Sequence, residues 1–81
     1  MSDVTAKVRE VVAGSFDVDP SELHDGTTAR DVEGWDSLAH ATLILRLQRV
    51  FGVRLDPAAA NGAQDLGSLT ALIAQATGKH A

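Results

Sequence analysis

The sequence has no cysteine and no tyrosine, two prolines, and only three aromatic side chains: Phe16, Trp35 and Phe51. Without cysteine there is no disulfide framework, no thiol catalysis and no thiolate-bound metal, so the fold has to be held by packing alone. No apolar run approaches the roughly 20 residues that a membrane-spanning helix needs. The opening MSDVTAKVRE lacks the charged-then-apolar order of a secretory signal, and the expected setting is soluble and cytoplasmic, with no membrane partner. Clustered lysine and arginine are missing as well: the net charge is −4, which speaks against nucleic acid. The 81 residues make one domain, 1–81. A chain of this size buries about 60–65% of its unfolded surface, which leaves no room for a deep catalytic cleft.

What charge there is has been sorted along the chain. Residues 17–36 hold seven of the eleven acids (Asp17, Asp19, Glu22, Asp25, Asp31, Glu33 and Asp36) against one base, Arg30. Residues 37–55 hold no acid and three bases, Arg46, Arg49 and Arg54. An acidic segment therefore leads into a mildly basic one.

Apolar spacing gives the elements. Val4, Val8, Val11 and Val12 recur at helical intervals, with Phe16 one turn further on; this predicts a first helix capped by Ser2 or Asp3 and ending near Phe16. Residues 17–36 lack sustained periodicity. Inside them Asp19-Pro20-Ser21-Glu22 reads as a short helical turn, with Asp19 as cap, Pro20 in the first position and Glu22 placed to reach back. Val18, Leu23 and Val32 are the expected anchors of this long loop. A loop of this length that is anchored rather than disordered usually carries function.

The next helix runs from Ser37 to about Phe51, with Asp36 as its cap and Gly52 as its stop. Leu43, Ile44, Leu47, Val50 and Phe51 make its core stripe. Leu38, Ala41 and Leu45 make a second stripe roughly opposite, bordered by Thr42 and Arg49, which predicts either a covering element or a partner-binding face. Val53 and Leu55 return the chain to the core. Asp56-Pro57 opens a short alanine-rich helix closed by Asn61-Gly62. Asp65 caps a last helix with Leu66, Leu69, Leu72, Ile73 and Ala76 on one face, Gly78 stops it, and Lys79-His80-Ala81 is expected to fray. No strand-like alternation or internal repeat is present. The fold class is all-α: a four-helix bundle of three main helices and a short third one, with a long loop between the first and second.

Among chemistry-bearing residues, Ser37 and His40 stand three apart on one helix. A hydrolytic dyad also needs an oriented base, an oxyanion hole and a pocket, and there is no G-x-S-x-G; the chain is not expected to be an enzyme. The Asp36-Ser37-Leu38 run echoes the GDSL hydrolases, which require a much larger α/β domain. His40, near the core edge of its helix, reads as a packed or capping histidine. His24, His40 and His80 lack ligand spacing, and the acids lack calcium-loop spacing, so no metal is expected. Trp35 reads as the leading half of a hydrophobic staple or as packing under the loop.

Taken together, V-D-P-x-x-L at 18–23, G-W-D-S-L at 34–38, F-G-V-R-L at 51–55 and L-x-x-L-x-x-L-I at 66–73 resemble the acyl carrier proteins over residues 4–76. The resemblance implies that Ser37 carries 4′-phosphopantetheine, with Asp36 as cap and part of the motif. In that family a phosphopantetheinyl transferase takes the arm from coenzyme A, usually with Mg²⁺. The resemblance also implies acyl-loading and acyl-transfer or condensing enzymes as partners, read by Leu38, Ala41, Thr42, Leu45 and Arg49. Fatty-acid carriers line this helix with acids, where this chain has Ala39, Thr42, Gln48 and Arg49, and they usually have alanine where Trp35 stands. The likeness is therefore to discrete, monomeric carriers of specialised metabolism, polyketide assembly first and aminoacyl or peptidyl carriage second. An unmodified helical adaptor using the same stripe is the alternative of another class.

Overall fold

The structure is a computed structural model and describes residues 3–78. Four α-helices follow in order: α1 Asp3–Phe16, α2 Ser37–Phe51, α3 Pro57–Gly62 and α4 Leu66–Thr77. α1 packs on α2 and α4, and α3 closes the gap beside α2 and α4. No strand forms among the described residues; the one β-bridge there is the isolated pair Thr28 and Asp65. Ser2, one of the two expected caps, and the tail Lys79-His80-Ala81 lie outside what is described; Asp3, the other, is the first residue of α1 itself.

The core is the meeting of the predicted stripes. Val8 and Val12 of α1, Leu43 and Leu47 of α2, and Leu66, Leu69 and Ile73 of α4 are fully buried, with Ala13 and Leu55 beside them. Two positions depart from the expected stripes. Val50 is 43% exposed: a spacing of about 100° per residue puts it at the trailing edge of the α2 stripe, next to Arg46, and no element covers it there. Ala76 is exposed in the last turn of α4, where the stripe has run past its packing partners.

Aspartates start the helices as the sequence predicts. Asp36, Asp56 and Asp65 each accept a bond from an amide of the first turn, Ala39 N at 2.8 Å, Ala59 N at 3.0 Å and Ser68 N at 2.7 Å. These bonds satisfy donors that the helix itself leaves unpaired. The bonds Asp65 accepts from the Ser68 amide and hydroxyl hold its carboxyl below the usual carboxylate value. Gly52 and Gly78 end α2 and α4 with φ of 65° and 75°, the left-handed region that costs glycine nothing.

The long loop is ordered by anchors and by backbone pairing. Leu23 and Val32 are buried and Val18 packs partly against the core. Pro20–Glu22 and Ala29–Asp31 form 3-10 turns. Asp19 caps the first of these through Ser21 N at 2.9 Å. Glu22 makes no return bond to Asp19 among the described residues; the return bond appears instead in the second turn, where Asp31 accepts from Thr28 N at 3.0 Å. The free amides at the start of α4 are taken by the loop, Leu66 N by Thr27 O and Gly67 N by Asp25 O, both at 2.9 Å. A side chain at Gly67 would bring its Cβ to 3.2 Å from Asp25 O, so glycine is what lets the loop lie this close. Arg9 of α1 reaches Asp25 at 3.1 Å from the other side.

α1 ends differently from the other helices. Asp17 carries the left-handed conformation there (φ 58°), and the following amide, Val18 N, returns to Ala13 O at 3.1 Å. A side chain at that φ costs on the order of 1 kcal/mol, less for aspartate than for most residues. Asp17→Gly is therefore expected to stabilise the domain by about 0.5 kcal/mol and to raise Tm by a few degrees, read by thermal unfolding. A fall in Tm would contradict this account of the α1 terminus.

Candidate functional site: the start of α2

Five residues fix the approach to α2. Gly34, at φ 90°, turns the loop; the Cβ of any other residue there would lie 3.9 Å from the Phe16 ring. Trp35 N bonds to Val32 O at 3.2 Å and Asp36 N to Gly34 O at 3.1 Å, which tightens the turn into the helix. Asp36 then caps from an extended conformation with φ −109° and ψ −170°.

Trp35 is buried, and its ring stacks between Phe16 (5.2 Å between centroids) and His40 (6.1 Å). Trp35 stands just before the cap and His40 four residues after it, the two positions of a hydrophobic staple. Here the staple is a hydrogen-bonded one. Trp35 Nε1 donates to His40 Nδ1 at 3.0 Å, and His40 Nε2 lies 2.8 Å from Ala60 O of α3. An indole nitrogen can only donate, so Nδ1 accepts, and the imidazole proton sits on Nε2 and is donated to the carbonyl. Both ring nitrogens are thus committed, and neither is free to activate Ser37.

Ser37 occupies the first helical position, fully on the surface. Ser15 Oγ donates to Val11 O at 2.8 Å, and Ser21 and Ser68 give their amides to the carboxylates of Asp19 and Asp65. The Ser37 hydroxyl has no partner among the described residues. It faces a cavity of about 490 Å³ bounded by Ala29, Trp35 and His40 and by the α3 end residues Asn61 and Gln64. The amides of Ser37 and Leu38, in the first turn, have no intrahelical acceptor. A phosphodiester on the hydroxyl would therefore stand at a helix N-terminus, where the dipole and free amides favour negative charge. In size, reach and polarity, the site fits a phosphopantetheine group.

The other expected residues are all at the surface. Leu38 is 77% and Leu45 63% exposed, and Ala41, Thr42 and Arg49 are exposed with them. Among the described residues neither the long loop nor any other element of the chain covers this face. Burying a leucine side chain is worth about 1.5–3 kcal/mol, a gain left to whatever docks there. Among the described residues no group of three or more His, Cys, Asp or Glu is placed to hold a metal, and no helix is long and apolar enough to cross a membrane. Asn61, Gln64 and the carbonyl of Ala60 escaped sequence reasoning: α3 offers no periodic signal, and its position beside Ser37 is set by tertiary packing.

A small helical scaffold with an outward hydroxyl at a capped helix start is an arrangement suited to covalent attachment of a group. Residues 6–73 match the family model described as the phosphopantetheine attachment site. The chain is 30% identical over 78 residues to the acyl carrier protein of Phenylobacterium zucineum, covering 96% of this chain and 99% of that one. It is 29% identical over 77 residues to the acyl carrier protein of Caulobacter vibrioides, covering 95% and 99%. The solution structure of holo acyl carrier protein from Geobacter metallireducens superposes with a TM-score of 0.83 at 23% identity, over 95% of this chain and 88% of that one, which establishes a shared fold. The chain belongs to the acyl carrier protein family, whose members are carriers, not enzymes, and hold phosphopantetheine covalently.

The staple makes a sharp claim about stability. Replacing His40 with leucine would leave two buried polar groups, Trp35 Nε1 and Ala60 O, without partners, each costing about 1–3 kcal/mol. His40→Leu is expected to lower stability by about 2 kcal/mol or more in urea denaturation, and nitrogen NMR of the intact protein should place the imidazole proton on Nε2. A loss under about 0.5 kcal/mol would contradict the bridge.

Proposed function

We propose that Ser37 is the residue that carries the phosphopantetheine arm, and that the domain presents acyl intermediates from it to the enzymes of a specialised pathway, polyketide assembly first among them. The single observation behind the attachment is that Ser37 stands exposed at the first position of the long capped helix α2, its hydroxyl without a partner among the described residues and facing the cavity beside α3. When bound, the arm supplies a terminal thiol that holds the cargo as a thioester.

In the attachment the Ser37 oxygen forms a bond to the β-phosphorus of coenzyme A. The bond from that phosphorus to the adenosine 3′,5′-bisphosphate oxygen breaks, and the hydroxyl proton leaves to a base. The base is the transferase's, since His40 is sealed between Trp35 and Ala60. Asp36 keeps the first turn intact through Ala39 N while its neighbour is attacked. The polar cavity between α2 and α3, with Asn61 and Gln64 on its rim, gives the start of the arm a surface to lie against.

The pathway reading rests on α2 itself. It has no acid: Ala39, Thr42, Gln48 and Arg49 stand where fatty-acid carriers present carboxylates to their synthases, and Arg46 is exposed beside them. Steering toward a basic docking patch is therefore absent. The relatives named above are called acyl carrier protein without a pathway, and a cytoplasmic, monomeric working state with acyl-loading and condensing enzymes as partners belongs to the same proposal.

Incubation with coenzyme A, Mg²⁺ and a broad-specificity phosphopantetheinyl transferase should add the mass of one phosphopantetheine group to the intact protein. Ser37→Ala should abolish the gain while leaving the helical circular dichroism unchanged. A gain that survives Ser37→Ala would refute the assignment of the attachment site.

A further inference from the structure

Across the second helix, apolar exposure and charge are arranged together. Leu38, Thr42, Leu45 and Arg49 stand at i, i+4, i+7 and i+11, one line along the outer face, and at about 1.5 Å per residue the line is about 16 Å long. Leu38 and Leu45 are the most exposed large apolar side chains among the described residues. Arg46 flanks the line on one side, beside a groove of about 360 Å³ that also touches Leu38 and Thr42. Neither Arg46 nor Arg49 has an ion pair among the described residues; the salt bridge seen there joins Arg9 to Asp25. No acid lies between Ser37 and Leu55, whereas Asp31, Glu33 and Asp36 crowd the approach to the helix. Thr42 spends its hydroxyl on Leu38 O at 3.1 Å, which leaves the middle of the line without a polar demand on a partner.

We infer that the outer face of α2 docks onto a protein surface that pairs an apolar hollow, for Leu38 and Leu45, with carboxylates facing Arg46 and Arg49. The inference rests on reading this domain as a carrier, and it specifies the chemistry of the partners that would meet it. The charge gradient also fixes the direction of docking. A partner that is acidic throughout would be repelled by Asp31, Glu33 and Asp36 at the Ser37 end, so its carboxylates must lie toward the far end of α2. From the rise per residue, Arg46 and Arg49 lie about 14 and 18 Å along the axis from Ser37. The partner's acidic patch is thus set back by that distance from the point where the arm would enter. An anionic membrane fits poorly, because it presents negative charge to the acidic end as well as to the arginines. A second copy of this chain is the competing occupant: a parallel pairing would bring like arginines together, and an antiparallel one, which sets Arg46 and Arg49 against the other copy's Asp36 and Glu33, would show as dimerisation in the test below.

Two synthetic amphipathic helical peptides with the same leucine face, one rimmed with glutamate and one with lysine, make the test, read on the unmodified full chain by amide NMR shifts. The glutamate peptide should bind at least about tenfold more tightly, shift the amides from Leu38 to Arg49, and lose most of that preference when salt rises to about 0.3 M. The exposed double substitution Arg46→Glu with Arg49→Glu should reverse the preference, with the circular dichroism unchanged. Equal binding of the two peptides, preference of the unsubstituted chain for the lysine peptide, or shifts confined to residues 17–36 would overturn the inference. So would co-sedimentation of the protein with phosphatidylglycerol vesicles, or dimerisation abolished by the double substitution. None of these results touches attachment at Ser37, which the intact-mass experiment decides separately.

Discussion

One hydrogen-bonded chain, from Trp35 Nε1 through the His40 ring to Ala60 O, ties the three pieces of this protein that otherwise have least reason to stay together. The loop before the motif has no periodic stripe of its own, and α3 is a six-residue helix with one buried alanine. The loop is anchored by Leu23, Val32 and Trp35, and α3 by Ala60, and among the described residues no direct bond joins Trp35 to α3. His40, on the long and well-buried α2, bridges the two. Phe16 adds α1 to the group by stacking on Trp35. Ser37 then stands at a surface whose walls come from the loop, α2 and α3, and whose shape depends on that bridge.

This arrangement separates the demands of stability from those of carriage. Near Ser37, both nitrogens of His40, the indole nitrogen of Trp35 and one Asp36 oxygen are already engaged in holding the fold. The Ser37 hydroxyl is left free, exposed, and at the positive end of a helix. A carrier needs a handle that foreign enzymes can reach and that its own residues do not turn over, and a capped helix start supplies this without a cleft. The same economy explains the outer face of α2. Two leucines left in water are a cost to the isolated chain, and on the proposed reading they are the surface that a partner would bury.

Much of this could be read from residues in order. The helices, their aspartate caps, the glycine stops and the loop anchors Leu23 and Val32 follow from periodicity and local chemistry, which act over a few residues. The exposed Leu38, Ala41 and Leu45 were visible because a helix cannot turn two opposite stripes to one core. What the sequence did not reveal acts across distance. The Ala60 carbonyl comes to His40 from twenty residues away, the amides of Leu66 and Gly67 pair with Thr27 and Asp25, and Arg9 finds Asp25. No spacing rule announces such contacts, because they depend on how the helices stack. The misplacement of Val50 has the same origin: the wheel gives its direction, but only the packed neighbours decide whether anything covers it. Asp17 in a left-handed conformation is another instance, since nothing local distinguishes it from a helix residue followed by a loop.

The central claim is positional: one serine among several, chosen by its place at the start of α2, bears the arm. Fragmentation mass spectrometry of the transferase-treated protein addresses it directly, by locating the phosphodiester within the sequence. The fragment carrying pantetheine should contain Ser37 and no other serine. Pantetheine on Ser15, Ser21 or Ser68 would contradict the account.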